Sequence, residues 1–176
     1  MGVPEFLLLL SNLIHFIIPA SSIFLQADGI KIHETNKDDF GHEVIEQPAT
    51  GKGPCRVSLK PFKVGEDVRL LLSHSPFAVD NAFNQPGPIF INKEDVDPYD
   101  DIYNFPPEIK ADKKNFPLSV IGYSKEQEIN YARLVGNKDV DLLITLIFDK
   151  HAKVDYLHAR NAEACCFICK IEWIYS

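Results

Sequence analysis

The chain has 176 residues, of which 45% are apolar and 24% charged, a balance that argues against a disordered, coiled-coil or fibrous protein and for one ordinary folded domain. Its formal charge is −7 and it has no cluster of Lys or Arg, so counterion release, which drives binding to nucleic acid, has no surface to act from. The acidic stretches at Asp38-Asp39, Asp95 to Asp101 and Glu126 to Glu128 read as solvated loop surface.

From Phe6 to Leu25 no residue is formally charged. We read residues 1–12 as an apolar extension, Leu13 to Ile18 as a core strand, and residues 13–176 as a single globular domain. A signal peptide is the alternative, but Met1 to Glu5 lacks the basic flank that orients one. A membrane span needs about 20 predominantly apolar residues, and Ser11, Asn12, His15 and Pro19 interrupt this run.

Cys165, Cys166 and Cys169 crowd together near the C-terminus and Cys55 stands far away, which is no disulfide framework. No Asn-x-Ser/Thr acceptor occurs either. The expected setting is therefore a reducing cytoplasm, with secretion as the alternative if the N-terminus is a signal.

Pro and Gly cut the remaining chain into short elements. Strands are expected at Arg56 to Leu59, Val68 to Leu72, Ile89 to Ile91, Leu118 to Tyr123, Val154 to His158 and Phe167 to Glu172, which are rich in β-branched and aromatic residues. The segment Asp95 to Lys114 reads as a long surface excursion with a short helix near Pro107 to Asp112. Asp139 is an N-cap for a helix in which Val140, Leu143, Ile144, Ile147 and Phe148 recur at helical spacing, and Leu142 and Leu146 make it apolar nearly all round. The expected fold class is α+β: mostly antiparallel or mixed sheet with one well-defined buried helix near residues 140–149.

Several common motifs are incomplete. Cys55-Arg56-Val57-Ser58 lacks the glycines of a nucleophile elbow, Gly51-Lys52-Gly53 lacks the hydroxyl residue of a phosphate loop, and His33-Glu34 and His42-Glu43 lack the second His of a zinc protease. No cofactor is implied.

The ordered set Pro54-Cys55-Arg56-Val57-Ser58-Leu59, Gly65-Glu66, Ser75-Pro76-Phe77, Gly87-Pro88-Ile89-Phe90-Ile91, Tyr156 to Ala162 and Cys166-Phe167-Ile168-Cys169 resembles the family catalogued as domain of unknown function 1203. The resemblance runs from about Leu13 to Glu172. It implies a strand near the N-terminus where Leu13 to Ile18 stands, and it implies a set of positions without a mechanism. Cys165 and the apolar residues before Leu13 depart from the pattern.

Along a strand at Val154 to His158, Tyr156 and His158 share one face, while Phe167, Cys169 and Ile171 share a face of the next. The connection Ala159 to Cys165 then brings His158 and Cys166 to one hairpin end. The expected function is a small-ligand-binding domain whose site is formed by Cys55, Arg56, His158, Arg160, Asn161 and Cys166 and takes a small anionic or carbonyl ligand, with Arg160 and Asn161 placed to grip it. A thiol-dependent enzyme with Cys166 as nucleophile and His158 as base is the first alternative. An interaction module acting through the 95–117 loop, whose aromatics are Tyr99, Tyr103, Phe105 and Phe116, is the second. Cys55, Cys166, Cys169 and His158 have the ligand types for zinc, but a strand would point Cys166 and Cys169 to opposite faces, so no metal is expected. The plain structural alternative makes Cys55 and Cys169 buried hydrophobes, His158 a donor to a loop carbonyl and Arg160 a partner of Glu163 or Glu172.

Overall fold

In the computed structural model, residues 16–18, 32 and 35–174 are described; residues 1–12 and the first half of the expected N-terminal strand lie outside them. Runs of β-branched and aromatic residues build eight strands: β1 (Phe16–Ile17), β2 (Ile45–Pro48), β3 (Val68–His74), β4 (Gly87–Asn92), β5 (Leu118–Tyr123), β6 (Ile129–Leu134), β7 (Tyr156–Asn161) and β8 (Phe167–Trp173). Helix α1 (Pro107–Ala111) precedes β5, and α2 (Val140–Lys150) lies between β6 and β7. All pairings are antiparallel, in a five-stranded sheet ordered β1-β8-β7-β5-β6 and a three-stranded sheet ordered β2-β3-β4. The class is α+β, as expected. Phe16 and Ile17 pair with Trp173 and Glu172, so the N-terminal strand edges the larger sheet.

Asp139 caps α2 by accepting the backbone N–H of Leu142 at 3.0 Å. Val140, Leu143, Ile144 and Ile147 then bury against Val120, Leu157, Ala159, Cys169 and Ile171 of the larger sheet. Each such side chain contributes roughly 1.5–3 kcal/mol when removed from water. The helix is not apolar all round in effect, because Leu142 and Leu146 are 59% and 40% exposed. Gly122 of β5 lies where a Cβ would come 2.8 Å from Val154 and 3.1 Å from Tyr131, so a side chain there would push these neighbours apart.

Four expectations need correction. Arg56 to Leu59 is a buried tight turn rather than a strand. A Pro54–Pro61 bridge closes it, Leu59 has a φ of +52°, and the Leu59 N–H donates to the Cys55 carbonyl at 2.9 Å. Val57 and Arg56 spend backbone groups on Tyr99 and Phe90, which is how irregular backbone can be buried here. The strand expected at Val154 to His158 begins at Tyr156 and runs on to Asn161, shortening the hairpin connection. A bulge between Ala159 and Arg160 puts Phe167 opposite Arg160 and Cys169 opposite Ala159, so Phe167 does not share the face of Cys169 and Ile171. Asp38 is buried rather than solvated. Burial alone would push its carboxyl up, but the backbone N–H groups of Ser73, His42 and Phe40 outweigh this and hold it below the usual carboxylate range. The sequence reading also missed β2 and β6.

The second core lies between the sheets: Cys55, Val57, Leu70, Leu72, Ile89 and Ile91 pack with Phe167 of β8. Among the described residues, no helix is long and apolar enough to cross a membrane.

Candidate functional site

Alternation along β7 sorts its side chains. Leu157 and Ala159 join the core under α2, while Tyr156, His158 and Arg160 point to the other face. There His158 is 0% exposed, and its ring centroid lies 4.7 Å from Tyr123, 5.0 Å from Phe77, 5.0 Å from Phe167 and 5.2 Å from Tyr156. Burial, then the nearby Arg160, Lys170 and His74, hold the imidazole well below its ordinary pKa, so it is neutral at pH 7. Neither ring nitrogen has a hydrogen-bond partner.

Arg160, 6% exposed, donates from Nη1 to the Cys165 carbonyl at 3.1 Å. The Tyr123 hydroxyl approaches the Arg160 guanidinium closely enough for a side-chain hydrogen bond to it to lower the hydroxyl's pKa, but no well-aligned bond forms, and Arg160 Nε and Nη2 have no other partner. The Ser75 hydroxyl, just past the end of β3, is buried without a partner as well. Buried polar groups are normally satisfied, so a cluster of orphans is a signal for function. Burial pushes the Tyr123 hydroxyl up in pKa, partly opposed by Arg160.

Arg56 enters from the buried turn. It donates to the carbonyls of Phe167 and Pro54 and, from Nη2, to Cys166 Sγ at 3.2 Å. It is 2% exposed and has no carboxylate partner among the described residues. Burial pulls its pKa down, offset in part by the thiols of Cys166, Cys55 and Cys169.

Arg160, Cys165, Cys166 and Phe167 line a cavity of about 220 Å³ with Pro86 and Pro88. Two larger hollows exist, of about 370 Å³ beside Lys113 and Val140 and about 410 Å³ beside Lys125 and Asp155. None of the orphaned buried groups lines either of them. Chemistry therefore selects this cavity over those two roomier hollows among the described residues.

Of the residues picked out from sequence, Arg56, Arg160 and Cys166 come together. The others do not. Cys55 is packed in the core between the sheets, and Cys169 lies in the core under α2 with burial raising its pKa to about 12. The Asn161 side chain is spent on the hairpin turn, accepting the N–H groups of Glu163 at 2.9 Å and Ala164 at 2.7 Å. His158 sits opposite Lys170 inside its aromatic cage rather than at the hairpin end, since lengthening β7 moves that end to Asn161. Arg160 pairs with neither Glu163 nor Glu172, and His158 donates to no loop carbonyl. In the 95–117 loop, Phe105 and Phe116 are core residues and Tyr99 packs against them, which leaves Tyr103 as its exposed aromatic. Among the described residues, no three His, Cys, Asp or Glu side chains converge as a metal set.

Sequence reasoning missed Tyr123, Ser75, Phe77 and the Pro86 to Pro88 wall. The signal was present in the motifs themselves: Pro54 to Leu59, Ser75 to Phe77, Gly87 to Ile91, Tyr156 to Ala162 and Cys166 to Cys169 all contribute to this one region.

No curated protein and no solved structure matches the chain. A family model described as "Protein of unknown function (DUF1203)" matches residues 52–173, which take in every segment that builds the cavity and leave out β1 and β2. The chain belongs to the family of domain of unknown function 1203.

Proposed function

We propose that the protein binds a small anionic ligand in the cavity lined by Arg160 and Cys166. The observation that carries this reading is the Arg160 guanidinium, buried at the cavity with Nε and Nη2 in no well-formed hydrogen bond, the Tyr123 hydroxyl approaching it without aligning. These two nitrogens form one edge of the planar fork, the geometry that grips a carboxylate with two parallel hydrogen bonds. The cavity, at about 220 Å³, falls below the roughly 300–1,000 Å³ of sites for drug-sized molecules, which favours a ligand of few heavy atoms.

Calorimetric titration with a panel of small carboxylates and inorganic phosphate tests this. At least one should bind, and Arg160→Gln should weaken it about 10- to 100-fold, the worth of a charged hydrogen bond of about 1.5–3 kcal/mol. Equal affinity in the variant, or no binding by any anion tested, would refute the reading.

A second reading, a thiol-dependent enzyme, draws support from the 3.2 Å contact between Arg56 and Cys166. Cys166 would attack a carbonyl held by Arg160. His158 fits poorly as the base, since four aromatic rings enclose it. Cys166→Ser separates the two, because anion binding survives it and covalent chemistry does not.

A further inference from the structure

We propose that Cys166 is a peroxide-oxidised residue, converted to a sulfenic acid under the Arg56 guanidinium and resolved by its neighbour Cys165. The case begins with charge. A guanidinium stays protonated under all ordinary conditions, and a fully buried one needs an anion. Among the described residues Arg56 meets no carboxylate; its acceptors are two backbone carbonyls and one sulfur, that of Cys166. Cys55 and Cys169 are buried in apolar cores, so of the nearby thiols only Cys166 both bonds the guanidinium and reaches the cavity. The Arg56 guanidinium, 3.2 Å from Cys166 Sγ, is the donor that would hold a thiolate there, and the thiolate is the form that peroxide attacks.

Access and resolution follow from the same loop. Cys165 is exposed, its φ of +57° holds it in the left-handed region at the end of the hairpin connection, and it lines the cavity beside Cys166. In the first step the Cys166 thiolate attacks one oxygen of hydrogen peroxide, giving the sulfenic acid and hydroxide; sulfur is oxidised and the peroxide O–O bond is reduced. In the second, the Cys165 thiol attacks the sulfenyl sulfur, an S–S bond forms, and water leaves. Adjacent Cα atoms lie about 3.8 Å apart, short of the roughly 4.4–6.8 Å usual for disulfides. The product is therefore strained and easily reduced, which suits a reversible modification rather than a structural link. This reaction shares the cavity of the anion-binding reading but does not depend on it, since Arg160→Gln should weaken anion binding about 10- to 100-fold and leave oxidation in place.

The test is graded hydrogen peroxide on the full chain with dimedone present as a sulfenic-acid trap, followed by peptide mass analysis. In the unsubstituted protein, the peptide holding Cys165 and Cys166 should lose two hydrogens and resist alkylation until dithiothreitol is added. In Cys165→Ser, dimedone should accumulate on Cys166. Arg56→Lys should oxidise nearly as fast as the parent, and Arg56→Gln should slow oxidation about tenfold. Arg56→Gln also strips donors from two buried carbonyls; if it fails to fold, the Cys165→Ser and Arg56→Lys arms still decide. Oxidation of Cys165 with Cys166 untouched, equal rates at all four thiols, or an undiminished rate in folded Arg56→Gln would overturn the proposal.

Discussion

The two faces of the five-stranded sheet are built from alternate residues of the same strands and yet obey different rules. Under α2, Val120, Leu157, Ala159, Cys169 and Ile171 form an unbroken apolar layer with Ile144 and Ile147. On the opposite face, both His158 ring nitrogens and the Nε and Nη2 of Arg160 are just as buried and lack a well-formed partner. An unsatisfied buried polar group costs about 1–3 kcal/mol, so the second face is carried by the stability of the first. One face holds the fold together, and the other keeps desolvated charge and hydrogen-bonding capacity beside a cavity.

The contrast can be broken from the apolar side. Ile144→Asp places an unpaired charge in the layer under α2 and should cost more than about 4 kcal/mol, leaving no folded protein in a denaturant titration. A variant with a near-native midpoint would show that this face is not what sustains the other.

Acid should act on the polar face. His158 is held well below its ordinary pKa chiefly by burial, and burial likewise brings His74 down to about 4. As pH drops below the unfolded value of about 6.5, the unfolded chain takes up protons that these two residues refuse. Stability is thus fully present above about pH 6.5 and declines toward pH 4, by up to about 1.4 kcal/mol per pH unit for each histidine. Denaturant midpoints at pH 7, 6 and 5 measure this, and His158→Phe should remove about half of the slope. An unchanged slope would mean that the cage admits a proton. The smallest effect belongs to the solvent side of α2, where Leu142→Gln should shift stability by no more than about 0.5 kcal/mol.

How much of this was legible depended on whether the signal was local. The α2 helix could be read because its cap at Asp139 and its buried residues repeat within one segment. Residues 56 to 59 have a strand's composition but are bent by the prolines at 54 and 61, and the turn survives burial because Phe90 and Tyr99 satisfy it from far along the chain. Edge strand β6 shows mostly outward-facing residues, so it lacks the apolar alternation that marks half-buried strands. For the site, residue types sufficed to nominate Arg56, Arg160 and Cys166. Their pairing was hidden: spacing suggested His158 as the neighbour of Cys166, and a one-residue bulge and three extra residues of β7 placed it elsewhere.

The Arg56 side chain also bears on the order in which the molecule assembles. Its bond to Cys166 spans 110 positions of sequence, and its bond to the Phe167 carbonyl spans 111. Contacts so distant require closure of a very large loop, an entropy cost that a folding chain recovers only after both sheets have formed. The β7–β8 hairpin, whose strands adjoin in sequence, faces no such delay. The corner that holds Cys166 against Arg56 is therefore expected to close later in folding than the β7–β8 hairpin and, in a destabilised chain, to open before it.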